Sequence, residues 1–172
     1  NQLVSPLTTV KGLGWAAIEE LIHKRPFESV EDLLFDKGVV ARKVNKKSLD
    51  ALCRAGAMEC LMDDRFFGTK HFWSAVVVDK PKNKKKLGEN IEKYRDEGDF
   101  TKAEVIAHYK ALTGIYPINM VVPVKAYDFF EQYGIKPISE YDKDLGKGWC
   151  VPTEVLTKKT KTGKHYYMVK VI

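Results

Sequence analysis

The residues best suited to chemistry are Gly12, Leu13 and Gly14, in the stretch "TTVKGLGWAAIEELIHKR" at positions 8–25. The chemistry they offer is anion recognition. Two glycines bracketing an apolar residue allow a tight hairpin whose apolar side chain plugs the core while the backbone stays bare. Leu7 and Val10 precede it, and Ala17, Ile18, Leu21 and Ile22 follow on a helical spacing, so the hairpin opens a helix. Unpartnered N–H groups and the positive end of the helix dipole coincide at such a start, which suits a phosphate. The backbone from Gly12 to Trp15 is therefore the expected contact. Lys11 before it, and Lys24 and Arg25 at the far end of the helix, add positive charge. Contacts of this kind read no bases, so binding is expected to be independent of sequence and sensitive to salt. A tight turn chosen only for packing is the alternative.

A second basic group lies near the end of the chain. Lys158, Lys159, Lys161 and Lys164 converge on the tip of a hairpin predicted at "TKKTKTGK", with Tyr166 and Tyr167 on the strand that follows. Basic residues beside aromatic platforms suit single-stranded nucleic acid. A soluble hairpin with one tyrosine in the core is an equal reading, since neighbouring strand residues face opposite sides. "NKKK" at 83–86 reads as a solvated loop rather than a phosphate-binding finger. Trp15, Trp73 and Trp149 read as packing residues, of which Trp15 alone can flank a sugar-phosphate backbone.

Catalytic and metal sites are not expected. Asp63 and Asp64 read as a helix N-cap, and the acids of "EYDKD" at 140–144 as solvated surface. His23, His71, His108 and His165 are scattered, without cysteine or carboxylate neighbours at ligand spacing; only His23, beside Lys24 and Arg25, is placed to touch DNA. Cys53, Cys60 and Cys150 form neither a CxxC pair nor a disulfide framework, which suits a reducing compartment. The chain is expected to be cytoplasmic, with no cofactor of its own and no membrane contact.

The elements that must position these residues follow from composition and punctuation. The 172 residues are 44% hydrophobic and carry 29 Lys and Arg against 23 acids, a net charge of +6. That is enough apolar content for a buried core and a charge balance that favours polyanions. Ser29 with Asp32 can cap "VEDLLF", and Asn45 can cap "KKSLDALCRAG", which stops at Gly56. "DDRFFGTKHFWSAVVV" reads as a core helix from Asp63, and "DKPKNKKKLG" at 79–88 as a loop between helices. Thr101 and Glu104 form a capping box for "KAEVIAHYKALTG", whose Val105, Ile106, Tyr109 and Leu112 share a face. "VKAYDFFEQYG" is a further short helix stopped by Gly134. After Gly146, β-branched and aromatic residues around "KTKTGK" signal a β-hairpin. The fold class is mainly α with a C-terminal β-hairpin. An opening without Met and an ending on "YYMVKVI" are expected of a piece of a longer polypeptide.

"LTTVKGLGWAAIEELIHKRPFESVEDLL" followed by "VNKKSLDALCRAGAMECL" resembles the helix-hairpin-helix region of the bacterial replicative DNA polymerase III alpha subunit. "TKAEVIAHYKALTGIY" and "AYDFFEQYGIKPISEYD" resemble the helical segment that follows in that family, and "WCVPTEVLTKKTKTGKHYYMVKVI" is similar to the first two strands of its OB-fold. Two features depart from the family. "PINMVVPV" lacks the histidine of a Ser-Gly-His-Pro-like turn, and Pro152 stands where a glycine is usual, restricting pairing there to an edge or a bulge. The resemblance implies a helix-hairpin-helix domain at 1–61, a helical connector at 62–145 and a truncated OB-like hairpin at 146–172. It implies that the parent is a DNA-directed DNA polymerase whose catalytic site, with its magnesium ions, lies elsewhere. This piece would be non-catalytic, gripping double-stranded DNA through the hairpin. Its OB-like part would face single-stranded DNA or contact the rest of the polymerase and other replisome subunits. The alternative is a protein-interaction module in which the hairpin is purely structural.

Overall fold

The computed structural model describes residues 6–172, with the side chain of Leu145 excepted; residues 1–5 of the expected first domain lie outside the described residues. The chain forms two compact units, divided between Ile115 and Tyr116, inside the stretch expected as a helical connector.

The first unit is helical. A single turn at Leu7–Thr9 leads through the Gly12 hairpin into α1, Trp15–Lys24, which buries Ala17, Ile18 and Leu21. Ile22, expected on the same face, is 43% exposed. After a cis peptide at Arg25-Pro26 the Ser29 hydroxyl accepts from the Asp32 amide (3.1 Å), and a wide helical turn follows at Asp32–Asp36. Asn45 caps α2, Lys46–Arg54, by accepting from the Ser48 amide at 3.1 Å; Ala55 ends that helix and Gly56 follows at φ +76. These caps are the ones the sequence marks.

The next helix starts later than its apolar spacing predicts. α3 is Thr69–Trp73 and runs directly into a π-helical segment at Ser74–Val78. Asp63 is not its N-cap. That carboxylate accepts from the Arg65 amide (3.0 Å) and guanidinium, while Arg65 also reaches Glu31 at 2.8 Å, which fixes residues 63–68 as a folded turn. The cap comes from far along the chain: Asp99 accepts from the Lys70 amide at 3.0 Å, and a Cβ on Gly68 would stand 2.7 Å from the Asp99 carboxyl carbon. Phe66 is buried edge-on against Phe72, whereas Phe67 is 62% exposed.

The lysine-rich stretch is also reassigned. "NKKK" begins α4, Lys84–Lys93, with Asn83 accepting from the Lys86 amide at 2.8 Å. Its lysines mask the start in sequence, because a helix dipole disfavours cations in the first turn; Leu87, Asn90 and Ile91 supply the buried face that wins. α5, Lys102–Thr113, carries the expected Thr101–Glu104 capping box and ends at Gly114 with φ +75. Of its predicted face, Leu112 is buried and Val105, Ile106 and Tyr109 are half-buried. The core of this unit centres on Val30, Phe72, Val76 and Leu87, each 0% exposed.

The second unit holds α6, Ile118–Val121, and α7, Val124–Gln132, which Gly134 follows at φ +61. β1, Lys136–Pro137, pairs in parallel with β2, Gly148–Trp149, and Trp149 stacks on Phe130 with ring centroids 5.1 Å apart. β3, Pro152–Lys159, pairs antiparallel with β4, His165–Val171, with Lys159 opposite His165. The irregularity that Pro152 demands lies between Pro152 and Glu154. Among the described residues no third strand joins this pair. Both faces stay open to solvent: Tyr166 is 44% exposed and Tyr167 is 72% exposed, so neither is a core tyrosine.

Candidate nucleic-acid interface

The hairpin is built by a four-residue turn. The Leu13 amide donates to the Val10 carbonyl at 3.2 Å, and Gly12, third in the turn, has φ +92, a conformation that side chains resist. Leu13 is thereby pressed into the core with Val10 and Ala17. The Lys11 amide donates to the Leu112 carbonyl at 2.7 Å, which anchors the hairpin to the end of α5. Gly14 is the N-cap of α1 in an ordinary extended conformation (φ −78, ψ 155), and its carbonyl accepts from Ala17 at 3.0 Å and Ile18 at 3.2 Å.

The expected contact is divided by its hydrogen bonds. Of the amides from Gly12 to Trp15, that of Leu13 is consumed by the turn. The amides of Gly12, Gly14 and Trp15, together with that of Ala16, have no hydrogen-bond partner among the described residues. Gly12, Gly14, Trp15 and Ala16 are all exposed, so these donors meet solvent at the positive end of a ten-residue helix. Nothing lies within 4 Å of a Cβ built on Gly14. Packing therefore does not demand glycine there. Trp15, 63% exposed, is oriented by its indole N–H, which donates to Glu19 at 2.7 Å.

The basic residues do not all converge. Lys11 turns its Nζ toward the end of α5, 3.9 Å from where a Cβ on Gly114 would stand. Lys24, half-buried, reaches toward Gly38, and Arg25 sits at the rim of an apolar pocket formed by Leu21, Phe27, Leu33 and Met58. α1 is ten residues, about 15 Å, long, so Lys24 and Arg25 stand a helix length from the free amides. A lysine that the sequence did not mark takes the near position: Lys47 Cε is 3.7 Å from a Cβ built on Gly12. Thirty-odd residues separate the two in the chain, and no local pattern joins them.

Lys158, Lys159, Lys161 and Lys164 are exposed around the β3–β4 turn, which the Thr160 amide closes on the Lys164 carbonyl at 2.8 Å. Lys158 is paired with Tyr166 across the ladder, so they share a face, while Tyr167 shares the other with Thr157. These residues belong to the second unit.

Several other titratable groups serve the fold. His71 is buried, its Nδ1 accepting from the Phe67 amide at 3.1 Å, which leaves the proton on Nε2 to donate to the Ile91 carbonyl at 2.8 Å. Burial, aided by nearby Arg54, pushes the His108 imidazole below its ordinary pKa. Burial likewise raises the Cys53 thiol to about 12, whereas Cys60 and Cys150 are exposed. Asp63 is held below the usual carboxylate range by Arg65. Among the described residues no cluster of His, Cys, Asp and Glu is arranged to hold a metal, and no helix is long and apolar enough to cross a membrane.

With a tight glycine hairpin presenting free amides at a helix start, residues 1–66 match the family model of the helix-hairpin-helix motif. No curated protein and no solved structure matches the chain.

Proposed function

We propose that this chain is a non-catalytic, sequence-independent DNA-binding segment of a replicative polymerase of the DNA polymerase III alpha type, holding duplex DNA by its phosphate backbone. The observation that carries the binding step is the set of uncovered amides at Gly12, Gly14, Trp15 and Ala16, exposed at the start of α1. Lys47 and the exposed Trp15 ring frame that surface. The replicative setting rests on the order of resembling segments along the chain. In that setting the duplex leaving a distant magnesium-dependent active site is gripped by the hairpin, while the lysines and tyrosines of β3 and β4 meet single-stranded DNA. The open strands, with Val155 60% and Val169 46% exposed, favour a further role in contacting the rest of the polymerase or other replisome subunits.

Gly14→Asp tests the binding step without attacking the fold. Asp is a favourable N-cap in the extended conformation Gly14 already has, and its carboxylate would both occupy the amides and repel phosphate. Fluorescence anisotropy with labelled duplex should give log K falling with log salt at a slope of roughly −3 to −5 for the unaltered chain. The G14D variant should remain folded by circular dichroism and lose most of that binding. Equal binding by the variant would leave the hairpin as a turn only and favour the protein-interaction reading.

A further inference from the structure

Beyond the matched residues, α4 opens with a concentration of charge that the fold uses only in part, Lys84 holding Asp36 at 2.8 Å. Lys80, Lys82, Lys85 and Lys86 line one shallow concavity with Asn83 and the carboxylates of Asp79 and Glu89. Lys93 already holds Asp79 at 3.0 Å, and Lys86 lies 3.6 Å from Glu89. Lys80, Lys82 and Lys85 make no ion pair among the described residues. The helix start itself is satisfied by the Asn83 side chain, so these lysines do no capping, and cations in a first turn oppose the dipole. Folding gains nothing from them; a polyanion would.

The same basic character leads back to the hairpin. Lys47 lies against Gly12, and its neighbour Lys46 donates to the Val78 carbonyl at 2.7 Å, where the chain enters the lysine turn. Both ends belong to one compact unit. We propose that the Lys80–Lys86 turn is a second contact to the backbone of the same duplex, so that the DNA-binding surface extends past residue 66 across the start of α2 to the start of α4. This rests on the duplex-binding reading above. The partner is a phosphate backbone rather than an acidic protein because the cations run on from amides suited to single phosphates.

The test compares the unaltered chain with K80Q/K82Q/K85Q, K80R/K82R/K85R and G14D, each checked for folding by circular dichroism, on labelled duplexes of two unrelated sequences. Neutralising three phosphate contacts should reduce the magnitude of the salt slope by about 2 to 3, equally for both sequences, and the arginine variant should restore it. An unchanged slope in the glutamine variant, with G14D defective, overturns the second contact and leaves the hairpin. A reduced slope in the glutamine variant, with G14D normal, overturns the hairpin and keeps the lysine surface. Absence of duplex binding by the unaltered chain at 50 mM salt, a low concentration at which such contacts are strong, overturns both.

Discussion

Gly12 and Gly14 look equivalent in sequence, but the backbone gives them different work. Gly12 sits at φ +92, where an L side chain is strained, although the nearest atoms to a Cβ are 3.7 Å away and leave room for one. Gly12→Ala should therefore cost about 1–2 kcal/mol from conformation alone, read as a lower midpoint in chemical denaturation. Gly14 imposes no such cost. Gly14→Ser should gain a few tenths of a kcal/mol, because the hydroxyl would accept one of the free amides of the first turn. The same hydroxyl competes with phosphate, so duplex affinity should fall while stability rises; unchanged affinity would show that those amides are not the contact. The hairpin was legible from its glycines and flanking apolar spacing. The division of labour was not, since φ and the consumption of the Leu13 amide depend on where Val10 and α5 place the turn.

Elements were legible where a local cap announces them and obscure where a distant residue does the capping. Asn45 and Thr101 each satisfy an amide three residues on, and both helices start where the sequence predicts. α3 starts at Thr69 because the carboxylate of Asp99, thirty residues away, waits there, and no window around Asp63 contains that fact. α4 was hidden by its own lysines. Glu20 shows the same long-range logic with a consequence for pH. It lies buried on α1 and accepts from Lys43 Nζ at 3.0 Å and the Val40 amide at 3.1 Å, joining α1 to the turn before α2. The Lys43 ammonium, then the Val40 N–H, hold its carboxyl below the ordinary 4.5. A depressed pKa in the folded state gives stability that is present above the unfolded value and lost as pH falls through the folded one. The advantage of the unaltered chain over Glu20→Gln in urea denaturation should therefore be constant near neutrality and shrink below about pH 4.5. A difference that does not change in acid would mean that the Glu20 charge contributes nothing.

At the scale of the whole molecule, the distribution of buried side chains is uneven in a way composition does not reveal. The continuous apolar core ends at Leu112, and in the second unit only Val122 and Val151 are buried hydrophobics among the described residues. A two-stranded hairpin with both faces wet is marginal by itself in water, whereas the first unit closes α1 to α5 around Phe72 and Leu87. A chain ending at Ile115 keeps every residue of that core, the Lys11–Leu112 anchor and the lysine turn. It should unfold cooperatively on heating, within a few degrees of the full chain, and bind duplex with nearly the same salt slope. Residues 116–172 alone should show no cooperative transition. If the shorter chain melts broadly, the second unit supplies stability that its own burial does not account for; if it folds but binds with a slope smaller by 2 or more, the lysines at 158–164 belong to the duplex contact after all.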